Sequence, residues 1–264
     1  MAQDLFDLEI MTYLKLGGTS QECASYLFIR TSRLNFVILR LRYVAQATKL
    51  LRLRVKPTTN PQPLPTHRYK IDARSIGNPH PLARSVSRKI IQGRAAASTM
   101  LELKVRGFIP DLVFGHVGWG EMSAVKDVWP HTKLIVHAEF YYRSEGANIN
   151  FDPEFPSDLS FDARYAVRLN NAPILLALAD ADWSVAPTQW QKSRFPVSLH
   201  DKIIVLHEGI DTDLLSPRPY SVFALPDGAT LDSNDEVITF AARNLEPYRG
   251  FHIFMRALPG VLDR

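Results

Sequence analysis

Short apolar runs alternate with longer amphipathic stretches along most of this chain. The apolar runs predict strands, which lie at 111–116, 133–137, 183–186 and 202–206. Apolar positions spaced near 3.6 residues predict helices, which lie at 82–106, 121–128 and 162–181, the last interrupted near Pro173. Because strands and helices alternate, the pattern predicts an α/β fold, a parallel sheet with helices on both faces.

Three segments break this alternation. Residues 1–50 contain apolar runs that fit a strand or a helix equally well. Residues 57–65 contain four prolines and predict a loop. Residues 218–235 are rich in Pro, Asp, Gly and Ser, which is typical of a linker. We therefore divide the chain into an atypical N-terminal segment at 1–50, a first α/β domain at 51–217, a linker at 218–235 and the start of a second α/β domain at 236–264.

The last thirty residues predict an anion-binding site. Residues 237–242 predict a buried strand, residues 251–262 predict a helix, and the loop between them contains Arg243 and Arg249. Loop N–H groups and the dipole of the helix favour phosphate at such a turn. The planar guanidinium group also fits phosphate oxygens. The alternative is a pair of surface arginines without a ligand, and their spacing leaves both interpretations open.

Three histidines follow predicted strands: His116, His137 and His207. The carboxyl ends of parallel strands meet at one edge of a sheet, where ligands of α/β proteins bind. A histidine at such a position can hydrogen-bond a sugar hydroxyl or stabilise a developing charge. The alternative for His137 is a structural histidine above an ion-paired loop.

The loops beside these histidines supply further candidate ligand contacts. Gly118 and Gly120 permit close approach of a ligand to the backbone, and Trp119 offers a flat face on which a sugar can stack. A tight turn with a core tryptophan is the alternative. The loop after His137 adds three side chains that can orient a polar ligand: Glu139, Arg143 and Glu145.

Composition narrows the function classes. A 46% hydrophobic share and 22% charged residues are typical of a globular protein, and the single cysteine, Cys23, excludes an internal disulfide and a cysteine-rich zinc site. A net charge of +4 suits an anionic ligand or membrane surface, but no basic run with interleaved aromatic residues supports nucleic-acid binding. Two Asp-x-Asp pairs invite a metal interpretation, although turn and capping roles are favoured; they lie at 180–182 and 211–213.

Four segments, taken in order, resemble glycosyltransferase family 4, the bacterial group 1 glycosyltransferases. They are PDLVFGHVGWGE at 110–121, LIVHAEFYYRSEG at 134–146, HEGIDTD at 207–213 and ARNLEPYRG at 242–250. The resemblance covers roughly residues 51–264. It implies a GT-B architecture, in which two Rossmann-like domains face each other across a cleft. The N-terminal domain would bind the acceptor and the C-terminal domain the nucleotide-sugar.

The resemblance also implies an activity and its residues. The activity is transfer of a sugar, with retention, to a glycan or lipid-linked acceptor, without a metal or other cofactor. His137 matches the histidine beside the reacting sugar. Arg243 and Arg249 match the two cations on the donor diphosphate, the second of which is usually lysine. The residues on the acceptor side would include His116, Gly118, Trp119, Gly120, Glu121, Glu139, Arg143 and Glu145.

Two departures from the family shape the expectation. Residues 1–50 lack the family's opening strand and glycine loop, and the chain ends at Arg264 before the family's E-x7-E segment. We therefore predict a truncated cytoplasmic glycosyltransferase, in peripheral contact with the inner membrane face, that catalyses inefficiently alone. One alternative is a non-catalytic carbohydrate-binding or scaffolding remnant of a glycosyltransferase. Another is an α/β enzyme or sensor for a different phosphorylated ligand.

Overall fold

A mixed β-sheet forms the centre of the protein. The computed structural model describes residues 8–13, 26–30, 39–40, 54–55, 66–69, 71, 77–147, 149–157, 160–207, 209–210, 212, 215–242 and 244–262. The strands are β1 (Leu8–Tyr13), β2 (Tyr26–Arg30), β3 (Leu39–Arg40), β4 (Arg54–Val55), β5 (Thr66–Tyr69), β6 (Leu112–His116), β7 (Lys133–His137), β8 (Trp183–Ala186), β9 (Ile203–Val205), β10 (Phe223–Ala224) and β11 (Thr230–Leu231).

Seven of these strands form the central sheet in the order β5-β1-β2-β6-β7-β8-β9. The run from β2 to β9 is parallel throughout, and β1 pairs antiparallel with both β2 and β5. The predicted parallel α/β sheet is therefore confirmed. Two short antiparallel ribbons, β3 with β4 and β10 with β11, lie outside it, and the second falls within the predicted linker.

The helices agree closely with the apolar spacing. They are α1 (Arg84–Val105), α2 (Val125–Val128), α3 (Phe161–Leu169), α4 (Ala172–Asp180), α5 (Gln189–Arg194) and α6 (Phe251–Leu262). Ser160 begins α3 and Thr188 begins α5, each accepting a hydrogen bond from a backbone N–H in the first turn. Pro173 lies in the first turn of α4, where its missing N–H is tolerated, which explains the predicted break. None of the helices in the described ranges is long and apolar enough to cross a membrane.

The second predicted domain differs from the expectation at its strand. Residues 237–242 pair with no strand in the described part of the chain, and the side chains of Val237 and Ile238 are 52% and 48% exposed. A strand is stabilised by its neighbours, and no strand in the described ranges pairs with this segment to complete a ladder. Its contact is instead with α6, where the Phe240 ring lies 5.2 Å from that of Phe251 and 5.1 Å from that of Phe254.

Helix α1 packs backbone to backbone against the turn that follows β6. A Cβ atom added at Gly93 would lie 2.4 Å from the carbonyl oxygen of Gly120, and one added at Gly120 would lie 2.2 Å from that of Lys89. Gly120 also has φ of 103°, which disfavours any residue with a side chain. Only glycine at both positions lets the helix come this close to the turn.

We expect Gly93→Ala to show that this approach outweighs helix propensity. Alanine is favoured over glycine in a helix by about 1 kcal/mol, but its methyl group would overlap the Gly120 carbonyl. The free energy of unfolding should fall by about 1–3 kcal/mol, measured by urea denaturation. Gly260→Ala in α6 is the matched control, because nothing lies within 4 Å of its added Cβ. An equal change in both variants would contradict the contact.

Asp182 lies at the amino-terminal ends of the parallel strands, opposite to the turn that follows β6. Its carboxylate accepts hydrogen bonds from Lys133 at 2.8 Å, from Lys126 at 2.9 Å and from the Leu134 amide at 2.9 Å. Burial alone would raise the pKa of Asp182, but these three donors lower it to about 2. The residue therefore binds the start of β8 to β7, which agrees with the turn role favoured over a metal role. Asp211 and Asp213 lie outside the described residues.

A set of four polar side chains, here called the α6 clasp, joins the loop at 149–157 to α6. His252 Nε2 lies 3.0 Å from Asp152 Oδ2, and the guanidinium of Arg256 donates to both carboxylate oxygens of Glu154 at 2.5 and 2.7 Å. The Phe155 ring meets the His252 ring edge to face, with centroids 4.9 Å apart. Since α6 has no buried residue over its described length, the clasp is a principal attachment of this helix.

We expect Arg256→Glu to loosen α6. The variant places a carboxylate against Glu154, and like charges at this distance repel. Hydrogen–deuterium exchange of the amides at 251–262 should become several-fold faster, followed by mass spectrometry. The double variant Glu154→Arg/Arg256→Glu restores the charge pair and should recover protection. Unchanged exchange in the single variant would show that the clasp does not hold the helix.

Candidate functional site

The sheet brings His116 and His137 together. His116 ends β6 and His137 ends β7, and the parallel register pairs the two residues directly. Their ring centroids lie 5.7 Å apart. The convergence of strand-end histidines expected from the sequence is therefore present for these two. His207 lies beyond β9, which is separated from β7 by β8, and it is exposed.

His116 is held in one tautomer by the turn that follows it. Its Nδ1 accepts a hydrogen bond from the Gly118 N–H at 2.9 Å, so this nitrogen carries no proton. The proton of the neutral ring is then on Nε2, which donates to Glu139 Oε2 at 2.9 Å. A Cβ atom at Gly118 would lie 2.5 Å from the His116 ring, so glycine is needed for this arrangement.

His137 is a buried neutral imidazole. The residue is 6% exposed, and its ring lies 6.3 Å from that of Phe114. Burial, with the neighbouring His116, lowers the pKa of His137 to about 4, and Glu139 opposes that shift. At neutral pH the ring can therefore take part in hydrogen bonds with a polar ligand without carrying a charge.

We expect His137 to make stability rise with pH between about 4 and 6.5. In this window the unfolded chain binds more protons at His137 than the folded protein does, so acid favours unfolding. The contribution to the free energy of unfolding is about 3 kcal/mol across the window. Urea denaturation at several pH values should show that the difference between wild type and His137→Asn grows with pH. The exposed His131→Asn is the control, and parallel pH profiles for all three proteins would contradict the pKa.

The same cluster has the composition of a metal site, but its hydrogen bonds favour another role. Ligand atoms of His116, His137 and Glu139 lie within 4.8 Å of one another. A metal at His116 Nε2 would have to displace the proton that the Gly118 N–H places there. This argument supports the metal independence that the family resemblance implies, which stays a prediction. A second such group, Asp152 with Glu154 and His252, already has a cation in Arg256.

The turn at 117–121 follows β6 and lies beside the two histidines. Trp119 is 42% exposed, which leaves a face for a ligand. Glu121 is completely buried and accepts hydrogen bonds from the Tyr69 hydroxyl and the Gln92 amide, both at 2.8 Å. Burial raises the pKa of the Glu121 carboxyl. Glu121 therefore joins the turn to Tyr69 and Gln92 in this structure. Its contact with an acceptor stays a prediction.

The loop after His137 is held by residues that the sequence interpretation missed. The Asn171 side chain accepts from the Tyr142 N–H and donates to the Tyr142 carbonyl, both at 2.9 Å. Lys89 lies 4.5 Å above the Tyr142 ring and donates to the Asn170 carbonyl at 2.9 Å. Burial lowers the pKa of Lys89 to about 8. The available signal was the helical spacing of Lys89 and Gly93, which puts both on the inner face of α1.

The cluster lies in a domain that matches a known protein family. The model of the glycosyl transferase family 4 group matches residues 48–215, well over half of the chain. The chain belongs to the glycosyl transferase family 4 group. No curated protein matches the chain. The family assigns the domain to glycosyl transfer, with a sugar donor and an acceptor as its partners, and the match includes both strand-end histidines.

Two candidate acceptor contacts of this family 4 domain also hold its own loop. Arg143 Nε donates to the Arg194 carbonyl at 2.8 Å, which ties the loop to the end of α5. Glu145 forms an exposed ion pair with Arg164 of α3 at 3.3 Å. These contacts keep the loop after His137 against two helices. Contact of either side chain with an acceptor stays a prediction.

The candidate donor residues lie beyond the family match. Arg243 falls outside the described residues. Arg249 precedes α6, with its Nε 3.3 Å from Glu246 Oε2 and its guanidinium 5.1 Å from the Tyr248 ring centroid. Gly250, with φ of 74°, makes the turn into the helix. The position of Arg249 before a helix agrees with the expected loop, and its binding of a diphosphate stays a prediction.

Proposed function

We propose that this family 4 protein transfers a sugar from a nucleotide-sugar to a glycan or lipid-linked acceptor with retention of configuration. The domain at 51–217 binds the acceptor, and the segment at 236–264 contributes to the donor site. No metal or other cofactor takes part. We place the reaction in the cytoplasm, with peripheral contact at the inner membrane face, because a net charge of +4 favours an anionic surface.

The pairing of His116 with His137 carries this proposal. Both lie at the carboxyl edge of the parallel strands, where α/β proteins bind ligands, and both lie within the family match. The surrounding groups suit a polar, uncharged sugar. Neutral His137 and the carboxylate of Glu139 offer hydrogen bonds, and the half-exposed Trp119 offers a stacking face.

In the proposed reaction, His137 contacts the sugar at the reacting centre. Arg243 and Arg249 hold the diphosphate and stabilise the charge that it acquires as it departs. Arg249 already shares its Nε with Glu246, but a guanidinium has five N–H donors, so its Nη atoms can still contact phosphate oxygens. The α6 clasp supports this role, because it attaches the helix after Arg249 to the loop that follows His137.

We expect the purified chain to bind a nucleoside diphosphate, and Arg249→Ala to weaken that binding. Each charge-assisted hydrogen bond lost corresponds to about a tenfold to hundredfold increase in Kd. Isothermal titration calorimetry with UDP, GDP and their sugars measures this. Arg106→Ala, an exposed arginine at the end of α1, is the matched control and should leave the Kd unchanged.

The pattern of binding separates the proposal from its alternative. Equal affinity of Arg249→Ala and wild type would contradict the role of Arg249 in the donor site. No binding of any nucleotide by a chain that unfolds cooperatively would contradict the proposed function. Binding of glycans without nucleotides would instead favour the non-catalytic carbohydrate-binding alternative.

A further inference from the structure

We propose that this protein docks on an anionic phospholipid bilayer through one face of α3 and the neighbouring start of α1. Docking in this way brings the edge of the sheet that carries His116 and His137 close to the lipid headgroups. The use of such docking rests on the proposed function, because a lipid-linked acceptor is held at a bilayer. The net charge of the chain favours an anionic surface, and the structure assigns the residues that contact it.

The docking surface consists of exposed side chains on two neighbouring helices. Helix α3 supplies two aromatic residues and two arginines, and the start of α1 supplies two further arginines. These residues are Arg84, Arg88, Phe161, Arg164, Tyr165 and Arg168. The two helices are neighbours because α3 packs against the turn at Pro81–Ala83, which leads directly into α1.

Helix geometry places the four residues of α3 on one side. Residues at i, i+3, i+4 and i+7 share a helix face, and positions 161, 164, 165 and 168 have this spacing. The Phe161 residue is 79% exposed and Tyr165 is 41% exposed, and their rings stack with centroids 5.9 Å apart. The face that carries both rings is therefore directed toward solvent.

The charges of the docking surface favour an anionic partner. Its four arginines are accompanied by two exposed carboxylates, Asp162 in α3 and Glu145, which pairs with Arg164 at 3.3 Å. The first turn of α1 contains no acidic residue. Positive charge is therefore in excess at this surface. Anionic headgroups attract such an excess, and each arginine close to them strengthens the attraction.

The aromatic rings favour a bilayer over a soluble polyanion. Phe161 has no polar group, so a partner that offers only charges leaves most of its ring in water. At the boundary between headgroups and acyl chains the Phe161 ring leaves water, while the Tyr165 hydroxyl stays among the headgroups. Arginine suits the same depth, because its apolar stem lies along the apolar region and its guanidinium contacts phosphate.

The docking surface lies on the same edge of the sheet as the candidate site. The end of α1 leads through a short connection to the start of β6, so the start of α1 lies at the carboxyl edge. Its Lys89 carbonyl lies against Gly120 in the turn after β6. Lys89 also donates to the carbonyl of Asn170, the residue after α3, at 2.9 Å. Docking therefore brings the candidate acceptor site close to the bilayer.

Co-sedimentation of the full chain with lipid vesicles tests the docking surface. Vesicles of phosphatidylcholine with about 30% phosphatidylglycerol are compared with vesicles of phosphatidylcholine alone. The wild-type chain should bind the mixed vesicles and leave the neutral vesicles unbound. Binding should weaken as NaCl is raised, because salt screens exposed charges.

Two variants separate the contributions of charge and of the aromatic ring. Arg88→Gln/Arg168→Gln should raise the vesicle Kd by about 30-fold, since each arginine near an anionic surface contributes about fivefold. Phe161→Ala should raise it by about five- to tenfold. Urea denaturation confirms that each variant is folded.

The opposite edge of the sheet supplies the matched controls. Arg106→Gln/Lys202→Gln removes the same charge from exposed positions where α1 ends and β9 begins. Val105→Ala removes apolar surface from a residue that is 88% exposed. Both controls should keep the vesicle affinity of the wild type within about twofold for Val105→Ala and about fivefold for the charge variant.

Hydrogen–deuterium exchange locates the bound surface. The amides at 161–168 should be protected in wild-type protein with mixed vesicles relative to protein alone. Absence of binding, equal binding to both kinds of vesicle, protection confined to other segments, or equal losses in surface and control variants would overturn the proposal. Binding to heparin without binding to vesicles, or self-association that Phe161→Ala abolishes without vesicle binding, would overturn it in favour of a soluble polyanion or a second copy of the chain.

The outcomes are distinguishable from those that test the proposed function, because vesicle binding requires no nucleotide. Arg88→Gln/Arg168→Gln should bind UDP or GDP with the Kd of the wild type in calorimetry. Nucleotide binding without vesicle binding would overturn the docking surface and leave sugar transfer in place. Vesicle binding by a folded chain that binds no nucleotide would reject the proposed transfer and support the docking surface.

Discussion

The contact between Gly93 of α1 and Gly120 in the turn after β6 is the constraint on which the site depends. Two backbones meet there without side chains between them, so the turn has a fixed position relative to the helix. The turn presents the Gly118 N–H to His116, and His116 in turn holds Glu139. A close backbone packing thus determines the direction of a side chain at the carboxyl edge of the sheet.

Burial then sets the chemistry of the groups that this packing brings together. Glu121 and His137 both lie in a low-dielectric interior, where the charged form of each is disfavoured. Glu121 takes two hydrogen bonds from Tyr69 and Gln92 and becomes part of the support. The Glu139 side chain is 41% exposed, so its carboxylate is in contact with water. The two carboxylates therefore differ in what they can contact, because Glu121 is buried and Glu139 is partly exposed.

The same loop links the two parts of the chain. The loop begins after His137. It is hydrogen-bonded to Asn171 and Arg194, and the α6 clasp joins it to α6. The stretch after His137 therefore contacts both the first domain and α6. Such contacts are a physical requirement for the proposed donor segment and the proposed acceptor domain to act together.

Local signals in the sequence determined much of this protein. Apolar runs predicted β6, β7 and β8, and Pro173 marked the break between α3 and α4, because these effects act within a few residues. The order of the family segments indicated glycosyl transfer. The strand expected at 237–242 did not form a ladder, since pairing requires a neighbour that local sequence does not specify.

Only the tertiary structure decided how the site is assembled. The parallel register paired His116 with His137, the close approach of α1 buried Glu121, and Asn171 held the loop from another part of the chain. These contacts join residues far apart in sequence. Their formation depends on the packing of the whole domain, and no short segment of the sequence contains both partners.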